Sequence, residues 1–109
     1  MLSKAELLKP KITTVNIDGG NLTIRALSAS YAMGLRGRDL QGADIFQIIA
    51  DSIIQEDGSA MLTAEEVGTL AIGTITQITK AIFEFNSLGE KAVSDAVAEL
   101  KKTEDLTIN

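Results

Sequence analysis

The chain contains neither cysteine nor histidine in its 109 residues. Without thiols there are no disulfides and no thiolate metal sites. Without imidazole the commonest general base and the commonest metal ligand are gone as well. Tryptophan is absent, and aromatic residues make up only 4% of the chain. A core therefore has to be aliphatic, built mainly from isoleucine and leucine. The apolar stretches fall short of a membrane span, the longest being broken by Asp51, Gln55 and Lys80. There is also no basic stripe. Lys and Arg number 10 against 15 Asp and Glu, a formal charge of −5. Nucleic-acid binding draws most of its affinity from cations on phosphates, and anionic membranes attract the same cations. Neither is an expected partner. Residues 1–10 carry Lys4, Glu6 and Lys9 and lack the apolar stretch of a secretory leader. The expected location is the cytosol, where the sequon at Asn21 would stay unmodified.

What the chain does have is a globular share of hydrophobic residues, 45%. Its length fits one domain, expected over residues 1–102, with a flexible tail over 103–109. Ser3-Lys4-Ala5-Glu6 has the form of a capping box opening a short helix that Pro10 stops. Thr13, Val15 and Ile17 then share one face at period two. Asp18-Gly19-Gly20-Asn21 is a turn signal, and Leu22 to Ala26 alternates again, so a β-hairpin is expected over 12–26. A lone hairpin is marginal in water and must pack on helices or on a neighbouring chain.

Ser28 caps a helix expected over 29–37, weakened by Gly34 and Gly37. Residues 43–55 predict a helix with Ile45, Ile48, Ile49 and Ile53 on one stripe. Phe46, Ala50 and Ile54 form a second stripe beside it. Glu56 to Ser59 reads as a turn. Thr63-Ala64-Glu65-Glu66 is a second capping box, opening the longest expected helix, 64–86, with a possible bend at Gly73. Its β-branched residues favour sheets, but a period of two gives no contrast between faces. A stop at Asn86 to Gly89 precedes a last helix, 90–101, with Ala92, Val93, Ala96, Val97 and Leu100 inward. The fold class expected is mainly α: a small helical domain of about four helices with a short N-terminal β-hairpin.

Catalytic and metal motifs fare poorly. Setting Gly58 as the glycine of a calcium loop puts Ile53 and Ala64 at the first and last ligand positions, where oxygen donors are required. The glycines at 19, 20, 34 and 37 lack the Lys-Ser/Thr that completes a phosphate loop. Arg25, Arg36 and Arg38 form a candidate cationic patch, set against the plainer reading of solvated or paired charges. Glu65 and Glu66 suit the positive end of a helix dipole. Ser28 and Ser30 have no histidine to activate them. No enzyme activity and no cofactor are expected; the role expected is binding to other proteins.

Three stretches in order carry a family likeness. The first is Leu22-Thr23-Ile24-Arg25-Ala26-Leu27-Ser28, a strand leading to a Leu-Ser helix cap. The second runs Ile53-Ile54-Gln55-Glu56-Asp57-Gly58-Ser59-Ala60-Met61-Leu62-Thr63-Ala64-Glu65-Glu66-Val67, an apolar helix end, an Asp-Gly turn and a Thr-capped acidic helix start. The third, Ala81-Ile82-Phe83-Glu84-Phe85-Asn86-Ser87-Leu88-Gly89, is an apolar helix closing on Asn-x-Leu. Together they resemble the tail assembly chaperones of long-tailed bacteriophages, over residues 22–97. The chain departs from that pattern where Tyr31-Ala32-Met33-Gly34-Leu35 replaces a charged helix, and where Ser87 stands in an Asn-Gly-Leu pattern.

The resemblance implies a largely helical protein in the host cytoplasm that binds the tape measure protein and keeps it soluble while tail tube subunits assemble around it. It implies absence from the mature virion and self-association into a spiral or ring-like homo-oligomer. A longer form made by ribosomal frameshifting, reaching the tail tube protein, is a further implication. The alternative is a structural tail subunit retained in the virion; a small nucleic-acid-binding regulator stands further off because of the −5 charge. A holdase must offer apolar surface, and the double stripe on 43–55 is greasier than a four-helix domain needs. The candidate protein-interaction residues are Ile45, Phe46, Ile49 and Ile54, with Met33 and Leu35 nearby; the plainer reading places them all in the core.

Overall fold

The computed structural model describes residues 1–36 and 38–108, with side chains through Lys101. Among the described residues the order is α1 (Lys4–Leu8), β1 (Ile12–Ile17), β2 (Gly20–Arg25), α2 (Ala29–Leu35), α3 (Gly42–Ser52), α4 (Ala64–Val67), α5 (Ile72–Phe85) and α6 (Glu90–Ile108). The protein is mainly helical with one antiparallel hairpin, as expected. Its helices number six among the described residues, against the four or so expected. The tail expected at 103–109 lies outside the residues whose side chains are described.

The hairpin closes through two residues, since Ile17 pairs with Gly20. Asp18 and Gly19 both have positive φ, 52° and 84°. That is the signature of a type I′ turn, whose twist matches the strands it joins. Val15 pairs with Leu22 and Thr13 with Ile24, which puts these four on the face turned to the helices. Ile24 is fully buried there.

α3 is shorter than expected. Ser52 is its last residue, and Ile53 and Ile54 leave the helix to bridge Ile24 and Ala60. The Ile54 amide donates to the Thr23 carbonyl at 3.1 Å. Two consecutive β-branched residues extend readily, and here they find the free edge of β2. The expected 64–86 helix is two helices. α4 lasts one turn, held by a capping box in which Thr63 Oγ1 accepts from the Glu66 amide at 3.1 Å and Glu66 accepts from the Thr63 amide at 2.9 Å. The chain then breaks over Gly68 to Ala71, and Thr69 Oγ1 donates to the Glu66 carbonyl at 2.6 Å. No bend is needed at Gly73, which lies within α5.

The core is the aliphatic one that the composition dictates. Ile45, Ile48 and Ile49 of α3 meet Val67 of α4, Ile75, Ile78, Ile82 and Phe83 of α5, and Ala96 and Leu100 of α6. Two polar residues are buried with them. Ser52 and Thr79 each donate to the carbonyl one turn back, Ile48 and Ile75, at 2.7 Å, so neither hydroxyl is left without a partner.

Candidate interaction surface

Polar joints fix how the strands and helices meet. The Asn86 carboxamide oxygen accepts from the Leu27 amide at 2.8 Å, and its nitrogen donates to the Ile82 carbonyl at 2.8 Å. This ties the exit of β2 to the end of α5. Asp51, near the end of α3, collects three more partners. Tyr31 Oη donates to its carboxylate at 2.6 Å, Gln47 Nε2 donates at 2.9 Å, and Arg25 Nε donates to its carbonyl at 2.7 Å. Burial, together with the hydrogen bond to Asp51, raises the Tyr31 phenol above its ordinary range, so it stays a donor. At the other end, the Asp18 carboxylate accepts from Thr74 Oγ1 at 2.5 Å and Gln77 Nε2 at 2.7 Å. These bonds hold its pKa below the ordinary value.

Three candidate features read from sequence dissolve into such joints. Arg25 is spent on Asp51, Arg36 reaches the Ser87 carbonyl at 3.5 Å, and Arg38 pairs with Asp44 at 3.5 Å. Each therefore has a partner of its own, though Arg36 and Arg38 line one groove. The Asp57 carboxylate accepts from both the amide and the hydroxyl of Ser59 at 2.9 and 2.6 Å, which lowers its pKa; it closes a turn. Glu66 completes its capping box.

The six candidate contact residues separate sharply. Ile45 and Ile49 are fully buried, Ile54 is buried against the hairpin, and Leu35 is 9% exposed. Their side chains belong to the core, Leu35 at its edge where it borders the groove described below. The physical reason is that α3 is central: the hairpin lies at its end and α4, α5 and α6 pack along it. Both of its stripes therefore find partners within the chain. Phe46 is half-buried, and its ring lies so close to Gly68 that a Cβ there would come within 3.3 Å of Cε2. Met33 is 71% exposed and is the one of the six at the surface.

The larger exposed apolar residues lie elsewhere. All residues from 1 to 12 are exposed, and α1 buries no side chain. Leu7 and Leu8 are 69% and 71% exposed, with Leu2 and Ile12 also open. The sequence signal was present: two adjacent leucines in a capped helix too short to have a core face. A second feature had no signal. Between the α2–α3 connection and α6 runs an open groove of about 750 Å³. Leu35, Leu40, Phe83 and Leu88 form its apolar part, and Ala92 and Ala96 its α6 side. The two alanines lie one turn apart on α6, and Arg36, Arg38 and Lys91 stand with Asp39, Asp95 and Glu99 in the polar part of the lining.

No family model, no curated protein and no solved structure matches the chain.

Proposed function

We propose that this protein is a tail assembly chaperone of a long-tailed bacteriophage, which binds the tape measure protein in the host cytoplasm and keeps it soluble while the tail tube forms. What supports the reading is how the three segments that carry the family resemblance meet. The first bonds to the second through Thr23 and Ile54 and through the Ile24–Ile53 bridge. The first bonds to the third through Leu27 and Asn86. The three stretches thus meet at the joints of one fold, which is what supports the reading. Exposed apolar side chains at Met33 and along residues 1–12 supply surface of the kind a holdase needs. Self-association into a ring or spiral, and a frameshifted longer form that reaches the tail tube protein, belong to the same proposal.

The test is co-expression with a tape measure protein encoded beside it. The client should move from the pellet to the soluble fraction, and purified virions should contain none of this chain by mass spectrometry. A client that stays insoluble defeats the reading. Recovery of the chain in stoichiometric amount from virions would make it a structural tail subunit instead.

A further inference from the structure

We infer that the free edge of β1 is a docking site for an extended segment of a partner polypeptide, which adds to the hairpin as a further antiparallel strand. The inference does not depend on the function proposed above, because the edge takes its partner by backbone.

Register decides which backbone groups are free. The Ala26 amide donates to the Lys11 carbonyl at 2.8 Å, and from there to the turn β1 and β2 pair without a bulge. The bonded pairs therefore fall at Thr13, Val15 and Ile17, and the backbones of Ile12, Thr14 and Asn16 point away from β2. All three residues are exposed, and among the described residues nothing bonds to their amides or carbonyls. Sheet edges are usually guarded by charge, proline, a bulge or a covering segment. Here Ile12-Thr13-Thr14-Val15-Asn16-Ile17 has no charge, no proline and no glycine, and five of its six residues are β-branched. Pro10 stops short of the strand, and the residues before it leave the edge open, since Ile12 is 58% exposed. The opposite edge of the same hairpin shows what such an edge takes. There the Thr23 carbonyl, which also points outward, accepts from the Ile54 amide at 3.1 Å, and Ile53 bridges Ile24 in the antiparallel sense.

Helix α5 selects the occupant. It lies beneath the hairpin, tied at one end to Asp18 through Thr74 and Gln77 and at the other to Leu27 through Asn86, and it packs on β1. Neighbouring strands lie about 4.8 Å apart, whereas packed helices need about 8–10 Å between their axes. Two copies of the chain joined edge to edge at β1 would bring their α5 helices together on one face at the strand spacing, so a second copy does not fit. A single strand with no helix behind it meets no such obstacle. The partner is therefore an extended stretch long enough to face residues 12–16 and free of proline at the pairing positions. Threonine, valine and isoleucine suit it, because β-branched side chains pack well across a strand from Ile12 and Thr14.

The experiment adds a capped, dye-labelled peptide of alternating threonine and valine to the chain and follows fluorescence anisotropy and amide hydrogen exchange. The peptide should bind saturably, one to one. The amides of Ile12, Thr14 and Asn16 should become protected, while those of Thr13, Val15 and Ile17, already in the ladder, change little. Thr14→Pro removes the central outward donor without breaking the ladder to β2 and should weaken binding at least about tenfold. Ile12→Pro, at the first residue of the strand where proline is tolerated, gives an independent reading if Thr14→Pro disturbs the fold; circular dichroism checks both. A peptide with proline at every second position should not bind. Four results overturn the inference: no saturable binding up to about 1 mM peptide, protection at other amides instead, folded proline variants that bind like wild type, or a proline peptide that binds equally well. Protection of the same three amides on concentrating the chain alone, without peptide, would give the edge to a second copy and overturns it too.

Discussion

The side-chain amide of Asn86 spends both its ends on backbone, accepting from Leu27 and donating to Ile82. Removing it strands a partly buried amide at the exit of β2, a loss worth about 1–3 kcal/mol. Asn86→Ala is expected to lower the denaturant midpoint accordingly. Asn86→Asp keeps the acceptor for Leu27 but sets a carboxylate oxygen against the Ile82 carbonyl at the negative end of α5, so at neutral pH it should be no more stable than alanine. Phe46 makes a second residue-scale case. Its place on the outer stripe of α3 suggested a contact surface, but its ring is half-buried against Gly68. Phe46→Asp should therefore cost folding stability, about 2 kcal/mol or more, as read from thermal unfolding. A variant that melts at the wild-type temperature would return Phe46 to the surface. At this scale the sequence showed which residues are apolar and not where the apolar surface ends. Ile45 and Phe46 are neighbours of similar hydrophobicity, and only the arrival of α4 beside them separates core from flank.

The hairpin turn shows how an element is held by long-range bonds that leave no local pattern. Asp18 sits at φ 52° and spends its carboxylate on Thr74 and Gln77, 56 and 59 residues away. Those bonds depress its pKa, so the folded state takes up this proton less readily than the unfolded chain does. The stability Asp18 contributes is full above its ordinary value of about 3.8 and is lost as pH falls through the lower folded value. Asp18→Asn keeps one acceptor but has no proton to gain. Urea midpoints of wild type and variant should differ at neutral pH and converge as the pH drops below the carboxylate range. A gap that stays constant with pH assigns the effect to shape and not to charge. The caps, by contrast, were legible, because Ser3, Ser28 and Thr63 act on amides three residues ahead. The break between α4 and α5 was not. The apolar period runs through it unbroken, and the N-cap residue of α5, Ala71, makes no side-chain cap bond. That absence predicts a gain. Ala71 is exposed, and Ala71→Asp should raise stability by about 0.5–1 kcal/mol by capping the first-turn amides of α5, measured in the same urea titration.

Seen as a whole, the molecule divides into a body with an aliphatic core and an arm outside it. Ile45 and Ile49 are central to the body, and Ile→Ala at either should cost about 2–5 kcal/mol, a large share of the 5–15 kcal/mol that single domains possess. The arm should contribute almost nothing to that figure, since none of its residues is buried. Amide hydrogen exchange reads both statements at once. Amides of α3 and α5 around Ile49 and Ile78 should exchange only through global opening and slow together. Amides of residues 2–9 should exchange near the unprotected rate in dilute solution, because a five-residue helix opens freely. Their behaviour on concentration is the informative part. Where copies of the chain associate, arm amides that slow as the mass rises place the arm in the contact, while the core amides, already limited by unfolding, change far less. Protection of the arm in dilute solution would place it on its own body. Arm amides that stay fast while the mass rises would mean the copies meet through another surface.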